Sequence, residues 1–124
     1  MYVAARLIED GWRVLNPIGD SHRYDLVAER DGKFIRIQVK YATPKNGALE
    51  INCRSSNNWS VLHYTAKEID VIAAFNPEDK SIYYIPVSKI NRSLFKLRIK
   101  PAKNKQKQKI HLKEDFVHLK IELL

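Results

Sequence analysis

The sequence predicts one mixed α/β (α+β) domain built on a β-sheet with flanking helices, the first of them short. Several short segments alternate apolar and polar residues, as strands with one buried face do. One segment near the N-terminus instead has apolar residues at helical spacing. The length of 124 residues suffices for one hydrophobic core and is short for two, so residues 1–124 are expected to form a single domain.

The first predicted element is a helix over residues 2–10, YVAARLIED, because its large aliphatic residues share one face. Gly11 follows at the point where a helix end favours a residue that tolerates positive φ. A short strand is expected from Trp12 to Leu15, where Asn16-Pro17 ends it.

A β-hairpin is predicted over residues 24–40, YDLVAERDGKFIRIQVK, because Asp31-Gly32 favours a type I′ turn. The numbers of paired residues then sum to 63, so Val27 faces Arg36 and Asp25 faces Gln38. Alternation places six residues on the core face: Tyr24, Leu26, Ala28, Ile35, Ile37 and Val39. The opposite face carries Asp25, Gln38 and Lys40.

The remaining elements are predicted from the same patterns. Strands are expected at residues 48–54, 69–75, 81–87 and 94–99, and the second and third of these form a hairpin across 76–80. A helical turn is expected to begin at Thr65, and Ser88 is expected to cap a short helix. Residues 100–109 are expected to form a basic loop, and residues 111–119 a terminal helix.

Composition excludes some classes of protein. No stretch approaches the roughly 18 apolar residues of a membrane span, and the N-terminus lacks a secretory signal pattern, so a soluble cytoplasmic protein with no membrane partner is expected. The single cysteine, Cys53, excludes an intramolecular disulfide, and the four histidines are too scattered for a structural zinc site. Cys53 is expected to pack as a small apolar residue.

The net charge of +8 is concentrated in one segment. From Lys89 to Lys113 there are ten basic residues and no acidic one, whereas the other 12 basic residues stand against all 14 acidic ones. Such a segment is typical of an edge that binds a polyanion, because Lys and Arg contacts to phosphates release counterions. A merely solvated, solubilising face is the alternative reading.

The polar face of the hairpin groups residues that suit a metal site. Opposed residues of an antiparallel pair have Cβ atoms about 5 Å apart, so Asp25, the Gln38 amide and the Lys40 ammonium can converge on one point. One carboxylate with neutral oxygen ligands suits Mg²⁺ and leaves room for water and phosphate, and a nearby lysine can orient water or neutralise charge on a phosphate. The wet face of an ordinary hairpin would also carry such residues.

The segments VAARLIEDGWRVLNP, YDLVAE, IRIQVK, KEIDVIAAF, IYYIPV and LRIKPAKNKQ resemble, in order and spacing, the PD-(D/E)xK nuclease superfamily. The resemblance is nearest to the group I intron homing endonucleases with a Gln-x-Lys motif, and more distant to archaeal Holliday-junction resolvases and type II restriction enzymes. It implies a restriction-endonuclease-like fold, in which a central mixed β-sheet is flanked by helices. It also implies a Mg²⁺-dependent DNA endonuclease, with Mn²⁺ as an alternative ion.

The resemblance also implies roles for individual residues. It places catalysis on Asp25, Gln38 and Lys40, and metal ligation on Asp25, Gln38 and the Val39 carbonyl. Gln38 stands where the wider superfamily has an acidic residue, which lowers the negative charge of the site. The family also has a Gly-Glu pair that would precede Met1, which leaves either a truncated, weak nuclease or a start codon farther upstream. Glu9 and Asp10 lie about 10 Å along the helix from that position.

Double-stranded DNA is the partner that the resemblance implies, together with a homo-oligomer and association with the nucleoid. Arg23 and Arg36 border the predicted site, although Arg36 can equally pair with Glu29. The other expected DNA contacts lie in the basic segment: Arg92, Arg98, Lys100, Lys103, Lys105, Lys107 and Lys109. Two other readings are a protein that keeps the fold and binds nucleic acid without cleaving it, and a structural RNA-binding domain.

Overall fold

A computed structural model describes residues 2–19, 22–57, 60–63, 68–90, 94–100, 111–112 and 116–120. The elements in chain order are α1 (Tyr2–Glu9), β1 (Arg13–Leu15), β2 (Leu26–Arg30), β3 (Lys33–Tyr41), β4 (Pro44–Lys45), β5 (Ala48–Asn52), β6 (Arg54–Asn57), β7 (Ser60–His63), β8 (Val71–Asn76), β9 (Ser81–Pro86), a 3₁₀ turn (Val87–Lys89), β10 (Leu94–Arg98) and β11 (His111–Leu112). No helix in these ranges has the length and apolarity needed to cross a membrane.

The main sheet has five strands in the order β1-β2-β3-β8-β9. β3 and β8 run parallel, and the other neighbours run antiparallel, so the sheet is mixed. α1 packs on one face of it through Val3 and Leu7. The predicted fold class is therefore confirmed, although α1 is the one α-helix within the described ranges.

The helix ends as the sequence predicts. The Gly11 N–H donates to the Ile8 carbonyl, and the Trp12 N–H reaches back to the Leu7 carbonyl at 2.9 Å. Gly11 has φ +91°, a conformation that glycine adopts without steric cost. This Schellman arrangement satisfies two of the orphan carbonyls of the helix and directs the chain into β1.

The hairpin between β2 and β3 confirms the predicted turn and most of the predicted register. Asp31 and Gly32 both have positive φ, as a type I′ turn requires. The ladder runs from Arg30 opposite Lys33 to Leu26 opposite Ile37, and every pair sums to 63. The hairpin therefore places β3 at the centre of the main sheet, where it carries the candidate site.

A second sheet, in the order β11-β10-β5-β4, covers the face of the main sheet opposite α1. Leu49, Ile51 and Leu97 from this sheet pack with Ile72 and Ile85 of the main sheet, and all five are fully buried. β8 and β9 are thus buried on both faces, which explains their continuous apolar sequence.

Two smaller predictions are wrong. The segment expected to form a terminal helix begins with β11, which pairs in parallel with β10, and Val117–Lys120 is not helical. Its apolar residues Phe116 and Leu119 are buried. Ser88 lies inside the 3₁₀ turn, whose N-cap position is taken by Pro86. The predicted turn at Thr65 and the basic loop after Lys100 lie outside the described residues.

Candidate active site

Asp25 precedes β2 and is bound to β3 by two hydrogen bonds. Its backbone N–H donates to the Ile37 carbonyl at 2.8 Å, and its Oδ2 accepts the Val39 N–H at 2.7 Å. The side chain is exposed, so its second carboxylate oxygen faces an accessible environment. The ladder itself ends at Leu26, and the predicted sixth pair between Asp25 and Gln38 is replaced by this side-chain contact.

This departure from the register changes the face on which Tyr24 lies. A regular strand would place Tyr24 beside Leu26 in the core under α1. Tyr24 packs instead against the core between the two sheets, while Leu26 packs under α1. The prediction for Tyr24 is therefore wrong, because Asp25 and Leu26 together oppose Ile37 in the manner of a β-bulge.

Gln38 and Lys40 lie on the face of β3 that turns toward the second sheet. Their parallel partners on β8 are Ile72 and Ala74, both of which belong to the core between the sheets. Both polar side chains are half-buried. The site therefore combines an exposed carboxylate with an amide and an ammonium group on the adjacent strand.

Cys53 interacts electrostatically with Lys40, but it is buried and packs as an apolar residue. Burial raises the pKa of the Cys53 thiol to about 11, although the Lys40 charge opposes the shift. The thiol is 2% exposed and donates to the Ile51 carbonyl. The expectation that Cys53 packs as an apolar residue is confirmed, because a protonated, buried thiol is a poor nucleophile.

The oxygen donors at this site suit a hard cation that keeps part of its water shell. No group of three His, Cys, Asp or Glu side chains that would hold a metal ion occurs in the described part of the chain. One carboxylate, one amide oxygen and one backbone carbonyl nevertheless form an oxygen set, which fits Mg²⁺ when waters complete its shell. The residues therefore fit a weakly charged site that keeps much of the ion's water.

Arg36 is bound to an acidic residue that the sequence analysis did not assign to the site. Its Nε and Nη2 donate to the two carboxylate oxygens of Asp70 at 3.1 and 3.0 Å, and its backbone N–H donates to Asp70 Oδ2 at 2.8 Å. Burial raises the pKa of Asp70, but the Arg36 hydrogen bonds outweigh it and hold that pKa below its usual range. The alternative that Arg36 pairs with Glu29 is wrong.

Arg23 and Arg98 also have protein partners. Arg23 lies 3.5 Å from Glu68 in an ion pair. Arg98 donates to the Lys100 and Asn46 carbonyls and so fastens the β4–β5 turn to the end of β10. Lys100 is exposed. The other predicted DNA contacts, Arg92, Lys103, Lys105, Lys107 and Lys109, lie outside the described residues.

Comparisons with known proteins identify the family. A model described as PD-(D/E)XK endonuclease matches residues 1–119. The chain belongs to the PD-(D/E)XK endonuclease family. It is also similar to the solved structure of a bacterial homing endonuclease, I-Ssp6803I, with a TM-score of 0.67 and 25% identity over 86% of this chain and 76% of that chain. A comparison with curated protein sequences found no match.

The N-terminal end of α1 in this PD-(D/E)XK chain lies at the same end of the sheet as Gln38 and Lys40. The Tyr2 ring stacks on Phe75 at 5.4 Å, and Tyr41, which follows Lys40, meets Phe75 edge-on at 5.3 Å. The other end of α1 lies near the hairpin turn, where the Asp10 carbonyl accepts from Arg30. Glu9 and Asp10 are therefore remote from the candidate site, as expected.

Glu68 and Asp70 are neighbours of the site that the sequence patterns did not identify. Both lie in the KEIDVIAAF segment that carries part of the resemblance, where alternate acidic residues flank the buried Ile69. Their partners depend on the parallel pairing of β3 with β8, which brings together residues more than 30 positions apart. A local sequence pattern does not reveal that pairing. The only available sign was the presence of two acidic residues in a segment that carries the resemblance.

Proposed function

We propose that this protein is a Mg²⁺-dependent DNA endonuclease that hydrolyses phosphodiester bonds. The observation that carries the proposal is the bond from the Val39 N–H to the Asp25 carboxylate, which sets an acid beside Gln38 and Lys40 at one end of β3. Membership in the PD-(D/E)XK endonuclease family supports the same reaction class. Asp25, Gln38 and Lys40 are then the catalytic residues.

Three oxygen donors would hold the cation: the Asp25 carboxylate, the Gln38 side-chain carbonyl and the Val39 backbone carbonyl. A bound Mg²⁺ supplies positive charge at the scissile phosphate and lowers the pKa of a coordinated water. Mn²⁺ accepts the same oxygen ligands and is expected to replace it. The single carboxylate makes the site weak for cations, so high Mg²⁺ concentrations are expected to be needed.

Lys40 has a separate task in this proposal. A water oxygen attacks the phosphorus while the bond from phosphorus to the leaving oxygen breaks, and negative charge grows on the phosphate oxygens. The Lys40 ammonium lies on the same face of β3 as Gln38 and can donate to the water or to those oxygens. Its half-buried position strengthens that interaction compared with a fully solvated lysine.

Double-stranded DNA is the proposed substrate, and the basic segment supplies nonspecific affinity. The net charge of +8 arises from the segment that contains Lys100 and the Lys103–Lys109 series. Because phosphate contacts release counterions, DNA binding is expected to weaken steeply with salt. We propose a cytoplasmic, nucleoid-associated protein with a homing or resolvase-like role, acting as a homo-oligomer because each site cuts one strand.

A protein that binds nucleic acid without cleaving it is the second candidate. The observation that favours it is the small negative charge of the site, where Asp25 is the acid and Gln38 is neutral. Such a protein would keep the fold and the basic segment while losing the reaction.

Cleavage assays with supercoiled plasmid, four-way junction and single-stranded DNA separate these candidates. Mg²⁺-dependent nicking or linearisation that a chelator stops supports the endonuclease. Salt-sensitive binding of the same DNAs, with intact substrate at high enzyme and Mg²⁺ concentrations, supports the binding protein and contradicts the endonuclease.

A further inference from the structure

Two arginines precede the two halves of the candidate site by the same number of residues. Arg23 precedes Asp25 by two residues, and Arg36 precedes Gln38 by two residues on β3. Their guanidinium groups meet Glu68 and Asp70, which belong to one short segment leading into β8. One acidic segment therefore contacts both chain segments that carry the site.

The Asp70 contacts join three strands of the main sheet. The Asp70 carboxylate accepts three hydrogen bonds from Arg36, and its backbone N–H donates to the Arg36 carbonyl at 2.9 Å. The Val87 N–H, just after β9, donates to the Asp70 carbonyl at 2.9 Å. Because the Arg36 and Asp70 side chains are only about a third and a quarter exposed, this forked pair restricts β3 more than a surface ion pair would.

Glu68 forms the matching contact on the Asp25 side. Its Oε2 is buried and accepts no hydrogen bond from the described residues, and it lies 3.5 Å from Arg23 Nε. A buried carboxylate oxygen without a hydrogen-bond donor is costly unless a charge partner compensates it. Ile69, between the two acids, is fully buried in the core between the sheets, so the segment has a fixed position.

We propose that Glu68 and Asp70 are positioning residues that act through Arg23 and Arg36 to hold Asp25 against the Gln38–Val39 backbone. The catalytic part of this inference rests on the proposed function. The proposal changes the expected role of both arginines. A guanidinium that is bound to a carboxylate holds the site in position and is not primarily a DNA contact. Loss of either acid then loosens the bond between the Asp25 carboxylate and the Val39 N–H.

A DNA-contact role for the arginines predicts different behaviour. Neutralising Glu68 or Asp70 would remove a negative charge that competes with phosphate for a guanidinium, so DNA affinity would rise or stay constant and kcat would not fall. Arg36→Lys keeps the charge and loses the forked geometry. It would therefore preserve a phosphate contact but weaken a positioning contact.

The test uses Glu68→Gln, Asp70→Asn and Arg36→Lys in the full chain. Glu50→Gln is the matched control, because Glu50 pairs with Lys96 at 3.9 Å on the second sheet. Two experiments are made: the first measures kcat and KM for plasmid cleavage in Mg²⁺, and the second measures amide hydrogen exchange of Val39 by NMR without DNA. The Ala42 amide, which donates to the Phe75 carbonyl at 2.9 Å, is the internal reference for exchange.

The proposal predicts that each of the three variants lowers kcat by about 10- to 100-fold with little change in KM, the range typical of partners that orient metal ligands. Val39 exchange accelerates while Ala42 exchange does not, and Glu50→Gln changes neither the kinetic constants nor the exchange rates. Unchanged Val39 exchange, equal acceleration at Val39 and Ala42, or an unchanged kcat overturns it. If the wild-type chain cleaves no DNA, the proposed function fails, whereas Val39 exchange still decides whether the acids position Asp25.

Discussion

The carboxylate of Asp25 accepts a hydrogen bond from the backbone N–H of Val39 at 2.7 Å, in the position where a regular hairpin would have a backbone carbonyl. One side chain therefore ends the β2–β3 ladder and brings a negative charge to the strand that carries Gln38 and Lys40. Asp25 thus has a structural role, as the acceptor of the Val39 N–H, and a proposed chemical role, as a metal ligand. Substitutions can separate the two roles.

Asp25→Asn is expected to abolish Mg²⁺-dependent cleavage while leaving stability nearly unchanged, because the amide oxygen can still accept the Val39 N–H. Asp25→Ala removes the acceptor as well and is expected to cost about 1 kcal/mol of unfolding free energy. Urea unfolding and plasmid cleavage measure the two effects. Residual Mg²⁺-dependent cleavage by Asp25→Asn near the wild-type rate would remove Asp25 from the metal site.

Asp70 is expected to make stability depend on pH in the acid range. Hydrogen bonds from Arg36 hold its pKa in the folded state below the unfolded value, which is about 3.9 for aspartate. The unfolded chain therefore binds the proton first, and the stabilisation is present above about pH 4 and is lost as pH falls through the lower folded pKa.

Asp70→Asn lacks this contribution at every pH. The difference in unfolding free energy between the wild type and Asp70→Asn is therefore expected to be largest near pH 7 and to shrink below about pH 4. Urea titrations at several pH values measure it. A difference that stays constant down to pH 2, or grows there, would contradict the assigned ion pair.

Lys100→Ala is expected to weaken DNA binding similarly for all sequences. If Lys100 contacts a phosphate, the slope of log K against log salt concentration falls in magnitude by about 0.9. Lys33→Ala is the control, since Lys33 is exposed at the hairpin turn, at the other end of β3 from the candidate site. Fluorescence anisotropy at several salt concentrations gives the slopes, and equal slopes for Lys100→Ala and wild type would exclude this contact.

The hairpin shows what the sequence was able to predict. Asp31-Gly32 determines the turn, the turn determines the register, and alternation then identifies Leu26, Ala28, Ile35 and Ile37 as core. These relations are local, so they follow from neighbouring residues. The grouping of Asp25 with Gln38 and Lys40 follows from the same reasoning and stays a prediction. The Asp25 carboxylate accepts its hydrogen bond from Val39, the residue between Gln38 and Lys40.

The features that were missed depend on long-range pairing. The shift at Asp25 lets Tyr24 pack against the core between the sheets, and this packing requires the second sheet. The Arg36–Asp70 pair requires β8 beside β3, and β11 pairs with β10 across 14 positions of sequence. Periodicity within a short window has no information about such partners.

The central claim is tested most directly by plasmid cleavage with Lys40→Ala, using Lys33→Ala on the same strand as the control. Removal of the lysine is expected to lower kcat by about 10²- to 10³-fold, while DNA affinity measured without Mg²⁺ stays within about twofold of wild type. Lys33→Ala should cleave normally. A Lys40→Ala variant that cleaves at the wild-type rate, or one that loses cleavage only because it no longer binds DNA, would contradict the proposed active site.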